Sequence, residues 1–298
     1  MMEHGVIIKA LSGFYYVQTE TALVECRARG RFRKEGISPL VGDRVQVSLD
    51  KPDKGTVDEI SPRKNCFTRP AVANLDIMII LASAVIPVTD PFLIDRVTAQ
   101  AERAGVQPLI CLNKSDLDAA DELYDIYRTT GYTVLRTSAE TGEGIEELRC
   151  AIKNKVCAFT GNSGVGKSSI LNALCPGLSL QVGEVSEKLG RGRHTTRHVE
   201  LFPLENGTFI ADTPGFSSFD MDKTEYIPKS ELQYCFREFA PYLDKCRFDD
   251  CAHIKEPGCA VIEAVACGNI HPSRLDGYRR LYDISAQFKD WEQNPSNH

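Results

Sequence analysis

The hydrophobic pattern changes twice along the chain and divides it into three parts. In residues 1–66, five short apolar runs (GVIIKA, FYYVQT, TALVECRA, DRVQVSL and GTVDEIS) are separated by Gly, Asp and Pro. Within the fourth run, Val45, Val47 and Leu49 alternate with polar residues, which is typical of a half-buried strand. Five such runs in a short segment predict a small β-barrel, with the OB-fold as the commonest candidate.

Residues 67–220 show apolar, β-rich runs that alternate with helical stretches. The runs are LDIMIILA, QPLICL, YTVLRT, KVCAFT, HVELFPL and GTFIAD, and PFLIDRVTAQAERAG and EGIEELRCAIK are predicted helices between them. This alternation predicts a parallel sheet with helices on both faces. Residues 221–298 are predicted to be helical, with a packing face at Leu275, Tyr278 and Tyr282. The whole is therefore predicted to be a multidomain α/β protein with domains at 1–66, 67–220 and 221–298.

The composition is that of a soluble globular protein, with 42% hydrophobic and 26% charged residues. The longest apolar run, residues 75–87, is too short to span a membrane, and the N-terminus has no leader-like pattern. Eleven cysteines, an odd number, fit cytosolic thiols or metal ligands better than a disulfide framework. We therefore expect a cytoplasmic protein without membrane contact.

A phosphate-binding loop lies between a predicted strand and a predicted helix. KVCAFTGNSGVGKSSILNAL matches G-x-x-x-x-G-K-[ST], in which glycines let backbone N–H groups turn toward phosphate oxygens at a helix N-terminus. Lys167 is expected to reach the β- and γ-phosphates, and the Ser168 hydroxyl to bind Mg²⁺. The predicted GTP-binding residues of the loop are Gly161, Asn162, Ser163, Gly164, Val165, Gly166, Lys167, Ser168 and Ser169.

A guanine-recognition motif lies upstream of this loop, although ordinary GTPases have the phosphate loop first. The run LICLNKSD ends in Asn113, Lys114, Ser115 and Asp116. The Asp116 carboxylate can accept hydrogen bonds from N1–H and the exocyclic amine of guanine, donors that adenine does not present there. Asn113 and Lys114 would brace the loop and cover the base.

A Ser-Ala turn strengthens this interpretation, because Ser138 and Ala139 can offer backbone N–H groups to guanine O6. Alone, an Asn-Lys-x-Asp motif is a weak signal, but Ser-Ala follows it here by one helix and one strand. Two unrelated half-sites would need two nucleotide folds within about 150 residues, which domain size disfavours. We therefore interpret the motifs as one site whose parts are reordered, as in a circularly permuted GTPase.

Two further segments are candidates for contacts with Mg²⁺ and the γ-phosphate. Asp212 ends the run GTFIAD and can hold Mg²⁺ through water, and the N–H of Gly215 can meet the γ-phosphate. In LGRGRHTTRHVE, either Thr195 or Thr196 can complete the Mg²⁺ shell, and the sequence does not choose between them.

The usual residue for orienting the attacking water is absent from its position in the sequence. Many GTPases have a Gln directly after the glycine of the Asp-x-x-Gly motif, which here is Asp212 to Gly215. In this chain Phe216 occupies that position, and its ring cannot orient water. His194 is the nearest candidate catalytic residue, and a His that contacts RNA or solvent is the alternative.

A basic segment, RARGRFRKEG, interrupts the predicted barrel. Its candidate RNA-binding residues are Arg27, Arg29, Arg31, Phe32, Arg33 and Lys34. Arginines can hold phosphates and an aromatic ring can stack on a base, although a solvated basic loop is the alternative. The net charge is -6, but residues 1–66 hold 11 Lys/Arg and 9 Asp/Glu (net +2) and the remainder holds 24 and 32 (net -8). Any contact with nucleic acid is therefore expected to be local.

Four metal-ligand side chains cluster within fourteen residues of the C-terminal part. Cys246, Cys251, His253 and Cys259 form the pattern C-x4-C-x-H-x5-C. Three thiolates and an imidazole suit one tetrahedral, structural Zn²⁺ with no position left open for catalysis. Three residues lie close enough in sequence to be alternative ligands, namely Cys235, Cys267 and His271.

Together these features resemble the RsgA (YjeQ/YloQ) family of small ribosomal subunit biogenesis GTPases. The likeness covers nearly the whole chain and includes SPRKNCFTRP, the permuted boxes, GRGRHTTRHVEL, DTPGF and the Cys-Cys-His-Cys motif. It implies an N-terminal OB-fold, a circularly permuted GTPase domain and a C-terminal zinc domain that bind the ribosomal RNA of the small subunit late in assembly. It also implies that Asn113, Lys114, Asp116 and the phosphate loop bind the nucleotide, and that the four metal-ligand residues hold zinc.

The function implied by the resemblance is a monomeric assembly factor that binds the small subunit, its rRNA and GTP or GDP. Hydrolysis of GTP, with Mg²⁺, would be stimulated by the subunit and coupled to release. Two other functional classes are alternatives. One is a nucleotide-gated RNA-binding protein that hardly turns over, and the other is a tRNA-modifying GTPase, for which no catalytic thiol or cofactor pocket is identified.

Overall fold

A computed structural model describes residues 2–68, 70–175, 199–204, 207–212 and 227–287 of the protein. Its first part is a barrel of five strands, one for each apolar run of the sequence. The strands are β1 (Met2–Leu11), β2 (Phe14–Thr19), β3 (Leu23–Ala28), β4 (Arg44–Lys51) and β5 (Lys54–Ile60).

The barrel closes because β1 pairs with both β2 and β4. All of its pairings are antiparallel except that of β3 with β5, and the order around the barrel is 1-2-3-5-4-1, the arrangement of an OB-fold. The predicted alternation in β4 is present, with Val45 and Val47 buried and Arg44 exposed. The barrel prediction is therefore confirmed.

Two small elements next to the barrel were not predicted. A one-turn helix, α1 (Gly30–Lys34), lies within the basic segment. A hairpin of β6 (Cys66–Thr68) and β7 (Ala71–Ala73) follows the barrel and joins it through a bridge between Val41 and Val72. Strands of three residues are too short to show a hydrophobic period, so the sequence pattern does not reveal them.

The central part is a mostly parallel sheet. Its strands are β8 (Ile77–Ala82), β9 (Gln107–Asn113), β10 (Thr133–Thr137), β11 (Val156–Thr160), β12 (Glu200–Pro203) and β13 (Phe209–Asp212). Its helices are α2 (Pro91–Arg103), α3 (Asp121–Tyr127), α4 (Ile145–Ala151) and α5 (Lys167–Leu174). The order is β10-β9-β8-β11-β13-β12, and only β12 is antiparallel to its neighbours.

Helices cover both faces of this sheet, as the continuous apolar run of β8 predicts. Every residue of β8 is buried. Met78 and Ile80 belong to the cluster that contains Ile94 of α2, whereas Ile77 and Ile79 belong to the cluster that contains α4 and α5 side chains. A strand covered on two faces has no polar side to alternate with, which explains its continuous hydrophobic run.

The start of α2 follows from local chemistry. The Asp90 carboxylate accepts a hydrogen bond from the backbone N–H of Phe92 at 2.9 Å, and Pro91 occupies the first helical position. Ile94 and Val97, three residues apart, are both buried and lie on the face that packs inward.

The barrel and the central sheet are continuous. β1 pairs with β12 at Lys9 and Glu200, and their side chains form an ion pair at 3.0 Å. Within the described residues, eleven strands therefore form one sheet.

The C-terminal part is helical. It contains α6 (Lys229–Leu232), 3₁₀ segments at Gln233–Cys235 and Arg237–Lys245, α7 (Ala260–Ala266) and α8 (Pro272–Ala286). The predicted packing face is present, because Leu275 and Tyr278 are buried and Tyr282 packs beside them. Across the ranges that the structure describes, each helix is too short or too polar to traverse a membrane.

Candidate functional site

The predicted nucleotide motifs meet at one edge of the central sheet. Asn113 ends β9, Thr137 ends β10, and the two residues are directly paired in the parallel register. The phosphate loop begins at Gly161, immediately after β11, and β11 is parallel to β8 and β13. All these segments therefore follow the carboxyl ends of parallel strands, where open α/β sheets bind their ligands.

Lys167 lies across the phosphate loop. Its ammonium donates hydrogen bonds to the carbonyl oxygens of Gly161 at 2.5 Å and Asn162 at 3.0 Å. Burial lowers the pKa of Lys167 to about 8, so the charged form is less favoured here than in water. Phosphate oxygens would supply the opposite charge that stabilises the ammonium. Lys167 is the first residue of α5, and the N-terminus of a helix is a favourable place for a phosphate.

Asn113 joins the base motif to the phosphate loop. The Asn113 side chain is 3% exposed, and its Nδ2 donates a hydrogen bond to the carbonyl oxygen of Val165 at 2.8 Å. Gly166 has a φ of +103°, and a Cβ at this position would overlap Asn113 Nδ2. The structure thus brings together two motifs that are about fifty residues apart in sequence, which supports one reordered site.

The side chain of Asp116 is held by the Ser-Ala turn. The Ser138 hydroxyl donates to Asp116 Oδ1 at 2.5 Å, and Ser138 itself is fully buried. The Lys114 ammonium donates to the carbonyl oxygen of Ile86 at 2.7 Å, which ties the base motif to the loop after β8. Asp116 is exposed and keeps acceptor capacity at its second oxygen.

The remaining predicted nucleotide residues have mixed exposure. Ser163 and Gly164 are exposed, Val165 is buried, and Ser115, Ala139, Ser168 and Ser169 are half-buried. The backbone of Asp212 ends β13 beside β11, but its side chain is not described. His194, Thr195, Thr196, Gly215 and Phe216 lie outside the described residues.

The four predicted metal ligands converge at one point. One ligand atom from each of Cys246, Cys251, His253 and Cys259 lies within 4.8 Å of the others. Nδ1 of His253 is 3.6 Å from Cys246 Sγ and 3.3 Å from Cys259 Sγ, and the two sulfurs are 4.0 Å apart. Ligands of a tetrahedral zinc ion are about 3.5–3.8 Å apart, given Zn–S and Zn–N bonds of about 2.3 and 2.0 Å. The group can therefore hold one metal ion.

The second nitrogen of His253 supports this assignment. Nε2 lies 2.9 Å from the Gln233 side-chain oxygen, which can only accept, so Nε2 carries the proton and Nδ1 has a free lone pair toward the sulfurs. Burial lowers the pKa of His253, which favours the neutral form that binds metals. Burial raises the pKa of Cys251 to about 12, and a bound cation is what would favour its thiolate.

The alternative ligands are not part of this group. The Cys235 thiol donates to the carbonyl oxygen of Glu231, and Nδ1 of His271 accepts the backbone N–H of Ser273 at the start of α8. Cys267 is exposed. Among the described residues, the metal-ligand group contains none of these three.

Comparison with known proteins identifies the family. The sequence profile of the RsgA GTPase family matches residues 60–222, more than half of the chain. The chain belongs to the RsgA GTPase family. The RsgA N-terminal domain profile matches residues 4–57, which contain most of the barrel.

The chain is similar to curated RsgA proteins over almost its whole length. A small ribosomal subunit biogenesis GTPase RsgA of Caldanaerobacter subterraneus is 47% identical over 280 residues, which cover 93% of this chain and 94% of the relative. The protein of the same name from Bacillus cereus is 46% identical over 288 residues, covering 95% and 97% of the two chains.

Two solved structures confirm the RsgA fold. YjeQ from Thermotoga maritima has a TM-score of 0.84 and 34% identity, covering 97% of this chain and all of that chain. YloQ, described as a circularly permuted GTPase, has a TM-score of 0.80 and 37% identity, covering 97% and 96%. The predicted permuted fold is therefore confirmed, and as a member of the RsgA family the chain is a GTPase.

Phe32 is buried in the RsgA barrel, contrary to its prediction as an RNA-binding residue. Its ring is 4% exposed and belongs to the barrel core, so it is not available to stack on a base. That part of the prediction is wrong because α1 directs this one residue of the basic segment inward. The five basic side chains of the segment are exposed, although Arg29 pairs with Asp58 at 2.5 Å and Arg31 donates to the Asp58 carbonyl.

A buried ionic network joins the RsgA GTPase domain to the helical C-terminal part, and no sequence motif marks it. Arg274 of α8 is fully buried and bonds Asp95 of α2 at 2.6 Å and Glu238 at 2.6 Å. The Tyr127 hydroxyl is 2.7 Å from the same Asp95 oxygen, and the Arg274 guanidinium lies 4.5 Å from the centre of the Phe236 ring. Burial raises the pKa of Asp95, and Arg274 opposes that shift. An arginine in a helical pattern is ordinarily a surface residue, so only the fold reveals this role.

Proposed function

We propose that the nucleotide site binds GTP with Mg²⁺ and hydrolyses it to GDP and phosphate. Asp116 would accept the guanine N–H groups, Lys167 would contact the β- and γ-phosphates, and Ser168 would bind Mg²⁺. Asp212 and either Thr195 or Thr196 would complete the Mg²⁺ shell. The observation that carries this proposal is the hydrogen bond from Asn113 to the Val165 carbonyl, because it places the base motif against the phosphate loop.

The proposed biological role is late maturation of the small ribosomal subunit. The names of the relatives support this role, and so do the exposed basic residues of the barrel, which can neutralise phosphates of rRNA. GTP would favour the bound state and hydrolysis would permit release. His194 is our candidate for positioning the attacking water when the subunit is bound, and the protein would act as a monomer.

Zinc is the metal that we propose for the C-terminal group. Three sulfurs and one nitrogen form a ligand set that zinc favours, and no ligand position is left open for catalysis. Its role would be structural. The ion would order the segments around α7, whose N-terminal cap is the ligand Cys259.

Addition of purified small ribosomal subunits is expected to raise the rate of phosphate release from GTP about tenfold or more. The reason is that no water-orienting Gln follows Gly215, so this function is left to a group ordered by the partner. The measurement is the hydrolysis of radiolabelled GTP at increasing subunit concentration. Large subunits serve as the control. A rate that small subunits leave unchanged would favour the nucleotide-gated RNA-binding protein instead.

Substitution of Arg33 and Lys34 by glutamine is expected to weaken subunit binding and to flatten its salt dependence. Both side chains are exposed, and removing one cation that neutralises a phosphate reduces the slope of log K against log salt by about 0.7–0.9. Arg29 and Arg31 are left in place because they contact Asp58. Sedimentation at several salt concentrations measures both quantities.

A Lys51→Gln variant is the control, because Lys51 is exposed at the far end of β4 and lies outside the basic segment. If the double variant and the control bind with the parental affinity and salt slope, the basic segment is only a solvated surface.

A further inference from the structure

The base motif is held to the Ser-Ala turn by two adjacent side chains rather than one. Asp116 accepts the Ser138 hydroxyl at 2.5 Å. One residue earlier, the Ser115 hydroxyl donates to Glu143 Oε2 at 2.7 Å. The backbone N–H of Ser115 also donates to the carbonyl oxygen of Thr137 at 3.1 Å. The loop that carries Asp116 is therefore attached at two adjacent residues, Ser115 and Asp116, to the end of β10 and the turn that follows it.

The backbone of Glu143 is hydrogen-bonded within the turn. The Glu143 carbonyl oxygen accepts a hydrogen bond from the backbone N–H of Ser138 at 2.9 Å. Ser138, which donates to Asp116, is therefore hydrogen-bonded to Glu143, which accepts from Ser115. The next residue, Gly144, has a φ of +68°, and a Cβ there would overlap the carbonyl oxygen of Arg136. A side chain at position 144 would therefore not fit, and the turn that carries Glu143 packs closely against the end of β10.

Ser115 was expected to be a nucleotide residue, but its hydroxyl is engaged with Glu143. Glu143 lies beyond the Ser-Ala motif, in the turn that precedes α4, and no motif marks it. Glu143 is exposed, and its carboxylate accepts from the Ser115 hydroxyl in a charge-assisted hydrogen bond that contact with water weakens in part. This bond restricts rotation of the loop segment on which the Asp116 side chain is mounted.

We propose that Glu143 is a positioning residue for guanine specificity, acting through Ser115 on the orientation of Asp116. The inference rests on the proposed guanine site. Asp116 must direct acceptor lone pairs at both N1–H and the 2-amino group of guanine, which demands a fixed carboxylate plane. Without the Glu143 hydrogen bond, the carboxylate samples a wider range of orientations. GDP then loses favourable geometry in two hydrogen bonds, to N1–H and to the 2-amino group, whereas a base without the 2-amino group loses it in only one.

The experiment compares binding of GDP and IDP, whose base lacks the 2-amino group, by calorimetry. Glu143→Ala is expected to weaken GDP binding about three- to tenfold, the range for removal of one hydrogen bond, and to weaken IDP binding less. Glu143→Gln keeps a side-chain oxygen that accepts from Ser115 and is expected to restore the parental preference for GDP. Ser115→Ala combined with Glu143→Ala is expected to bind no more weakly than either single variant.

Equal losses of affinity for GDP and IDP in Glu143→Ala would show a general loosening of the site and would overturn the proposal. Parental GDP affinity in that variant, or additive losses in the double variant, would overturn it as well. Asp116→Asn separates this failure from failure of the guanine site. It is expected to weaken GDP binding and improve binding of xanthosine diphosphate, and an unchanged affinity for both would remove Asp116 from base recognition.

Discussion

The Cys251→Ala variant is expected to lose its bound metal and the ordered packing of residues 227–287. Cys251 is a buried member of the four-residue group, and its removal opens the tetrahedron. Apparent binding free energies of structural zinc are about 10–16 kcal/mol in small zinc domains, and this energy contributes directly to folding. Metal content by mass spectrometry and cleavage of the C-terminal part by a protease measure the two effects.

Cys267→Ala is the matched control, since this cysteine is exposed and lies outside the metal group. It is expected to keep both its metal and its resistance to protease. GDP binding by Cys251→Ala is a further readout, because the base motif and the phosphate loop follow strands of the central sheet, whereas the metal group lies in the helical C-terminal part. A Cys251→Ala protein that retains one equivalent of metal, or that is metal-free yet fully resistant, would contradict the assignment.

Arg274→Met is expected to lower the free energy of unfolding by about 3–5 kcal/mol, the usual cost of removing one partner from a buried ion pair. The guanidinium is fully buried between Asp95 and Glu238, which belong to different parts of the chain. Without it, two carboxylates remain in an apolar environment with no positive charge between them. Urea unfolding followed by far-ultraviolet circular dichroism measures the change.

A second substitution tests the cause of the expected destabilisation. If buried charge is responsible, adding Asp95→Asn to Arg274→Met is expected to recover part of the stability, so the two changes are not additive. Arg280→Met is the control on the same helix. Arg280 is exposed and stacks on Phe92, so its replacement removes an arginine without leaving buried carboxylates unpaired. An Arg274→Met protein within about 1 kcal/mol of the parent, a change no larger than that expected at an exposed pair, would show that the network contributes little.

The elements that the sequence predicts well are those whose signal is local. The hydrophobic pattern within a strand depends on whether one or both of its faces are covered. Both the alternation around Val45 and Val47 and the continuous apolar run of β8 predict strands that the structure contains. The phosphate loop is equally local, because its geometry depends on glycines and on the helix that follows it. The four metal ligands lie within fourteen residues, so their spacing alone brings them into reach of one ion.

By itself, then, the sequence determined the barrel, the permuted order of the nucleotide motifs and the metal-ligand group. Tertiary structure decided which residues from distant segments meet. It paired Asn113 with Val165, Ser115 with Glu143, and Arg274 with Asp95, contacts that span from 28 to 179 positions. It also directed Phe32 into the barrel core. Such contacts depend on the packing of whole elements, and one sequence carries no periodic or spacing signal for them.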